Sequence, residues 1–236
     1  LPQIEMQGAL VARGQCVEYA AEVPYRPMVD ALRALWCAGA GLTPPRLPRS
    51  LSPVWLAELA RLLPELREHY PNLPTAPAGE SDRHRLFDAV AQWLETFAQA
   101  DPRRARTQIV FFLDDLQWCD AASLDLVHHL IHSFKSKPNP RVYFIGAYRP
   151  EETPADHALT RLYLSLARDA LAARVHLMPL SNESIAEIAR ALSDDPALAE
   201  LLLRESNGSP FIAEELVKGL ADTGRIQIAP FGKWVV

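Results

Sequence analysis

Residues 108–115 constrain the fold more than any other stretch. Gln108-Ile-Val-Phe-Phe-Leu113 is continuously apolar after its first residue and rich in β-branched and aromatic side chains, and two adjacent acids, Asp114 and Asp115, follow directly. Such a run predicts a strand buried on both faces, the kind that parallel sheets flanked by helices contain. Asp114 and Asp115 then fall where the strand emerges at the carboxyl edge, and open α/β sheets take up ligands there. Neighbouring carboxylates at such a rim repel each other unless a cation or hydrogen-bond donors compensate them, and Mg²⁺ is the economical counter-charge. The plainer alternative is that the two acids only open a turn before the next helix.

The remaining pattern surrounds that strand with alternating elements. Residues 9–16 have the length and apolar content of a buried strand, 18–27 read as a loop, and 28–37 resume helical spacing. Trp55, Leu59, Leu62, Leu63 and Leu66 form one stripe over an expected helix at 54–66, which a proline-rich surface loop at 70–79 ends. Ser81 is a suitable N-cap for a helix running to about Gln99, with Leu86, Val90, Trp93, Leu94 and Phe97 on its apolar face. A helix over 123–134 and a second buried strand over 141–147 complete a strand, helix, strand unit, expected to be parallel and right-handed. Residues 174–178 are a shorter candidate strand. Beyond Pro179 the chain turns all-helical, over 183–192, 196–205 and 210–220, and 224–236 reads as a hairpin that opens a further domain.

Composition narrows the function classes. The net charge of -5 arises from 29 acidic and 24 basic residues spread along the chain, with no basic stripe for phosphate backbones, so direct nucleic-acid contact by this segment is not expected. No apolar run reaches the roughly 18 to 20 residues of a membrane span. Cys16, Cys37 and Cys119 have neither metal-ligand nor disulfide-scaffold spacing, which fits a cytoplasmic location. His128 and His132 have the i, i+4 spacing of a metal pair but lack a third ligand, and a solvated or packed helix face accounts for them. The closest approach to a linker is the proline-rich stretch 43–53.

Phe111-Phe-Leu-Asp-Asp-Leu-Gln-Trp-Cys-Asp-Ala-Ala-Ser-Leu-Asp-Leu126 resembles the Walker B segment of bacterial signal-transduction ATPases with numerous domains, the STAND branch of the AAA+ relatives. Further segments resemble the family in its order: Gly14-Gln-Cys-Val-Glu18 with Pro24-Tyr-Arg-Pro27 and Ala31-Leu-Arg-Ala-Leu35, Ile145-Gly-Ala-Tyr-Arg149, Met178-Pro-Leu-Ser181, and Ser206-Asn-Gly-Ser-Pro-Phe211 with Glu214-Glu-Leu216. The resemblance implies an α/β fold: a parallel-sheet P-loop NTPase core of the ASCE, AAA+-like kind over 1–179, N-terminally truncated. A helical lid subdomain follows over 180–222, and 223–236 begin a winged-helix-like domain. It implies ATP/ADP and Mg²⁺ as cofactors, with Asp114 as metal ligand, Asp115 orienting a water, and Arg149 reaching the terminal phosphate through its planar fork. Gln117 and Gly208 join the cofactor-binding set, and the ring of Pro210 packs on adenine. A loop-edge ion pair is the plainer account of Arg149, and a helix start that of Pro210.

One departure from the family stands out. No Gly-x-x-x-x-Gly-Lys-Ser/Thr occurs, and none of the lysines, Lys135, Lys137, Lys218 and Lys233, lies in that context. The family's phosphate loop would precede Leu1, so residues 1–236 alone are expected to bind ATP weakly or not at all. The leading expectation is a regulatory ATP-binding module whose nucleotide state switches an output such as transcription, partnered by other domains of its own protein and by possible self-association. The alternatives are a non-catalytic interaction scaffold on a degenerate NTPase fold, and an AAA+ loader acting on DNA.

Overall fold

The computed structural model describes residues 2–20, 23–38, 51–75, 82–99, 108–137, 141–193, 196–225, 227–228 and 234–235. Two compact units divide the chain, Leu1–Ala173 and Arg174–Val236. The first contains α1 (Pro2–Met6), β1 (Leu10–Gln15), α2 (Arg26–Ala38), α3 (Pro53–Leu59), α4 (Leu66–His69), α5 (Asp82–Gln99), β2 (Ile109–Asp114), α6 (Ala121–Lys135), β3 (Val142–Gly146) and α7 (Ala158–Arg168). The second contains α8 (Asn182–Leu192), α9 (Pro196–Glu205), α10 (Pro210–Asp222) and two short strands, β4 (Gln227–Ile228) and β5 (Trp234–Val235).

In the first unit the strands form a parallel sheet in the order β1-β2-β3, with Leu10 opposite Ile109 and Ile109 opposite Val142. The apolar run at 109–113 occupies the centre, as its composition predicts. Ile109 and Phe111 are fully buried, each side chain contributing about 1.5–3 kcal/mol by leaving water. Phe111 stacks on its register partner Phe144, ring centroids 5.1 Å apart. Helix α2 packs on β1, and α5 touches both α3 and α6. Leu86, Val90, Trp93 and Leu94 form the buried stripe of α5. Gly14 allows the close fit of α2 on the sheet: a Cβ there would lie 2.2 Å from the Pro27 carbonyl oxygen.

Three sequence expectations are corrected. The stripe at 54–66 is not one helix: α3 ends at Leu59, turns follow, and α4 starts at Leu66. Pro64 is the cause, since it brings no N–H and biases Leu63 away from helical dihedrals. Leu59, Leu62, Leu63 and Leu66 are buried all the same. Strand β3 is not covered on both sides as β2 is, because Tyr143 and Ile145 are 42% and 40% exposed. Among the described strands β3 pairs only with β2, so its apolar run is covered over part of its surface. Residues 174–178 form no strand: no described strand pairs with them, and Val175 and Leu177 are 81% and 87% exposed. β propensity without a ladder partner leaves backbone groups to water and gives no sheet.

The second unit is a small helical cluster. Ile185 and Ala189 of α8, Leu198 and Leu202 of α9, and Ala213 and Val217 of α10 form its core. The helical periodicity of the sequence foresees all three helices within about two residues, the ordinary spread of helix ends. Ser181 caps α8 by accepting from the Ser184 N–H, and Ser209 caps α10 by accepting from Ile212, with Pro210 in its first turn. β4 and β5 pair antiparallel, the hairpin expected over 224–236. Ile226, Lys233, Ser81 and residues 43–50 lie outside the described residues. Among the described residues no helix is long and apolar enough to cross a membrane.

Candidate functional site

The site is built on the carboxyl end of β2. Asp114 is the last residue of that strand, in register with Gln15, and its carbonyl accepts from the Cys16 N–H at 3.0 Å. The next residue, Asp115, turns the chain into the left-handed region, with φ 53° and ψ 44°. Aspartate tolerates that conformation better than most residues, yet a non-glycine residue held there stores strain of order 1–3 kcal/mol. The turn is fixed from β3: Ala147 N–H donates to the Leu113 carbonyl and Leu116 N–H to the Ala147 carbonyl, both at 2.9 Å. Leu116–Trp118 then form one 3-10 turn, and Asp120 caps α6.

Four residues named from the sequence come together here. Asp114 and Asp115 are both half-buried, and one oxygen of Asp114 accepts the Asp115 backbone N–H at 3.0 Å. Gln117 donates to Asp115 at 3.1 Å and accepts from the Arg149 backbone N–H at 3.2 Å. The Arg149 guanidinium lies 4.0 Å from Asp115, pairs with Glu152 at 3.3 Å and sits over the Trp118 ring. Gly208 and Pro210 belong to the second unit. There Gly208, at φ +77°, accepts from the Leu180 N–H at 2.8 Å, and a Cβ on it would lie 2.6 Å from the Leu180 carbonyl oxygen. Met178-Pro-Leu-Ser181 and Ser206-Asn-Gly-Ser-Pro-Phe211 are therefore one local structure, although 24 residues separate them in the chain.

The electrostatics leave the acid pair short of positive charge. Among the described residues no ion pair reaches Asp114, and the guanidinium at 4.0 Å from Asp115 is more than half exposed, a pairing worth about 0–1 kcal/mol. Among the described residues no group of three His, Cys, Asp or Glu side chains can hold a metal by itself. Two carboxylates with no third ligand suit Mg²⁺, which keeps several waters and is commonly bound through one or two carboxylates plus phosphate oxygens. The donor set fits a metal that arrives with an anionic ligand rather than a resident all-protein site.

Asp120 is the residue that sequence reasoning left without a role. Its buried carboxylate accepts from Ser123 N–H at 2.8 Å, Ser123 Oγ at 2.6 Å and the Tyr25 N–H at 3.2 Å. It thereby joins the loop before α2 to the loop after β2 and holds Tyr25 at φ 65°. An acid three residues before Ser123 at the head of an apolar helix was the available signal. The Cys119 thiol is pushed well above its usual range by its hydrogen bond with Cys16 and by burial, the opposite of an activated thiol. His128 and His132 stack edge to face with centroids 4.5 Å apart, and burial followed by His132 lowers the pKa of His128.

No curated protein and no solved structure matches the chain. One family does, described as the AAA ATPase domain, over residues 1–145. That span exceeds half of the 236 residues and takes in β1, β2, the acid pair and Gln117, stopping just short of Arg149. The chain belongs to the AAA ATPase domain family.

Proposed function

We propose that this chain is the ATP-binding regulatory module of a multidomain signal-transduction ATPase of the STAND type, in which nucleotide state sets the output of other domains, transcription among them. The observation that carries the proposal is the acid pair at the end of the central strand, undersupplied with cations among the described residues and faced by Arg149 from the segment just after the neighbouring strand β3. Asp114 holds Mg²⁺ through water or directly, Asp115 orients the attacking water, and Arg149 leaves its weak contact with Asp115 to meet the terminal phosphate. Mg²⁺ supplies charge neutralisation on the β- and γ-phosphates when bound. Residues 180–222 serve as the helical lid, Gly208 gives the close approach and Pro210 the apolar face for adenine, and 223–236 lead into a winged-helix-like domain. Turnover is slow and serves switching.

Asp115→Ala and Asp114→Ala in the natural full-length protein test this. The expected result is ATP turnover lowered by about 100-fold or more in Asp115→Ala, with binding retained, and weakened metal-dependent binding in Asp114→Ala. A full-length protein that is folded but neither binds nor hydrolyses ATP would overturn the proposal in favour of a non-catalytic scaffold.

A further inference from the structure

Gln117 is 5% exposed, and its amide nitrogen and oxygen each have a hydrogen-bond partner inside the protein. Nε2 donates to Oδ1 of Asp115 at 3.1 Å while Oε1 accepts from the Arg149 backbone N–H at 3.2 Å. The orientation of the amide is forced, since a carboxylate only accepts and a backbone N–H only donates. No other side chain of this length offers one donor and one acceptor in that arrangement. Glutamate would turn an acceptor toward Asp115, and leucine would orphan both neighbours.

Among the described residues the two polar interactions of the Asp115 side chain, from Gln117 and from the Arg149 Nε at 4.0 Å, both fall on Oδ1. Among the described residues no hydrogen bond or ion pair reaches Oδ2, which is left to accept from a ligand or water. Gln117 thus decides which oxygen of Asp115 is presented, and it does so from a frame fixed to the Arg149 backbone.

We infer that Gln117 is a positioning residue: its buried amide holds the Asp115 carboxylate in working orientation and couples it to the β3 end that carries Arg149, rather than touching nucleotide. This rests on the proposed role of Asp115. The coupling runs through the Arg149 backbone N–H, so a displacement of that backbone moves the Gln117 amide, and Asp115 with it, whereas a swing of the guanidinium alone leaves both in place.

The test compares Gln117→Leu and Gln117→Glu in the full-length protein, reading kcat, the ATP dissociation constant and the urea midpoint. Gln117→Glu keeps the acceptor for Arg149 and replaces the donor toward Asp115 by a second carboxylate, so it remains informative if the leucine variant folds poorly. The expected result is kcat lowered by about tenfold or more in both, out of proportion to any fall in the urea midpoint, with ATP affinity within about twofold of wild type in Gln117→Leu. Weakened ATP affinity with kcat intact would make Gln117 a nucleotide contact and overturn the inference. So would an unchanged kcat, or a kcat loss that tracks a fall in the urea midpoint. Asp115→Ala with wild-type turnover would instead sink the functional proposal itself, and the inference with it.

Discussion

Glu58 on α3 and the Asp114–Asp115 pair at the end of β2 are carboxylates withdrawn from water in the same unit, yet their own fold supplies cations generously to only one of them. Glu58 is 0% exposed, and each of its oxygens has a guanidinium: Arg61 at 3.0 Å and Arg85 at 3.2 Å. Asp82 closes the network by pairing with Arg85 at 2.5 Å and Arg61 at 3.7 Å, so α3 is tied to the start of α5. Among the described residues Asp114 has only the neighbouring backbone N–H, and Asp115 has an amide and a guanidinium at the limit of pairing. A carboxylate whose task is structural arrives with its counter-charges. One left short of them at the rim of a parallel sheet waits for charge from outside.

The largest effect expected from this contrast is at Glu58. Glu58→Ala leaves Arg61 and Arg85 without their shared partner and should lower unfolding stability by about 3 kcal/mol in urea titration, with ATP affinity of the folded fraction intact. A loss below about 1 kcal/mol would mean that the two acid centres do not differ in kind. Asp120 sharpens the contrast as an intermediate case, a buried carboxylate satisfied by N–H and O–H donors alone. Asp120→Ala should cost about 2 kcal/mol by removing the α6 cap and leaving the Tyr25 N–H without its acceptor. A loss confined to the roughly 0.5 kcal/mol of an ordinary surface change would contradict that account.

The smallest effect concerns His128, a base whose charge the fold disfavours. Burial and His132 lower its folded pKa, against weaker opposing pulls from Asp125 and Asp169 and a further push from His129. The unfolded state therefore binds the proton more readily, and the contribution of His128 to stability is complete above about pH 6.5, the usual imidazole value. It is lost as pH falls from there through the folded pKa. His128→Gln should flatten the stability profile in that window, measured by urea midpoints at stepped pH. An unchanged slope would mean that another group titrates there.

The sequence made the centre of this structure legible and the edges less so. Five apolar residues in succession followed by two acids admit few placements, and β2 with Asp114 and Asp115 at its end follows from them. Likewise, helices α8 to α10 follow from their spacing. Strand β3 looks the same in sequence as β2, because an apolar run records the preference of the side chains and not whether a second layer covers them. Glu58 was invisible as a centre, since one of its partners lies 27 residues away on another helix. The two bonds of Gln117 join a turn to the end of a neighbouring strand, a geometry that no local pattern encodes.

Metal-dependent ATP binding, measured by calorimetry on the natural full-length protein and on Asp114→Asn with Mg²⁺ and with chelator, goes to the centre of the account. Wild type should bind ATP at least about tenfold tighter with Mg²⁺ than without, while Asp114→Asn loses that preference at a stability within about 0.5 kcal/mol of wild type. An equal Mg²⁺ preference in both proteins would contradict the assignment of Asp114 as the metal's protein ligand.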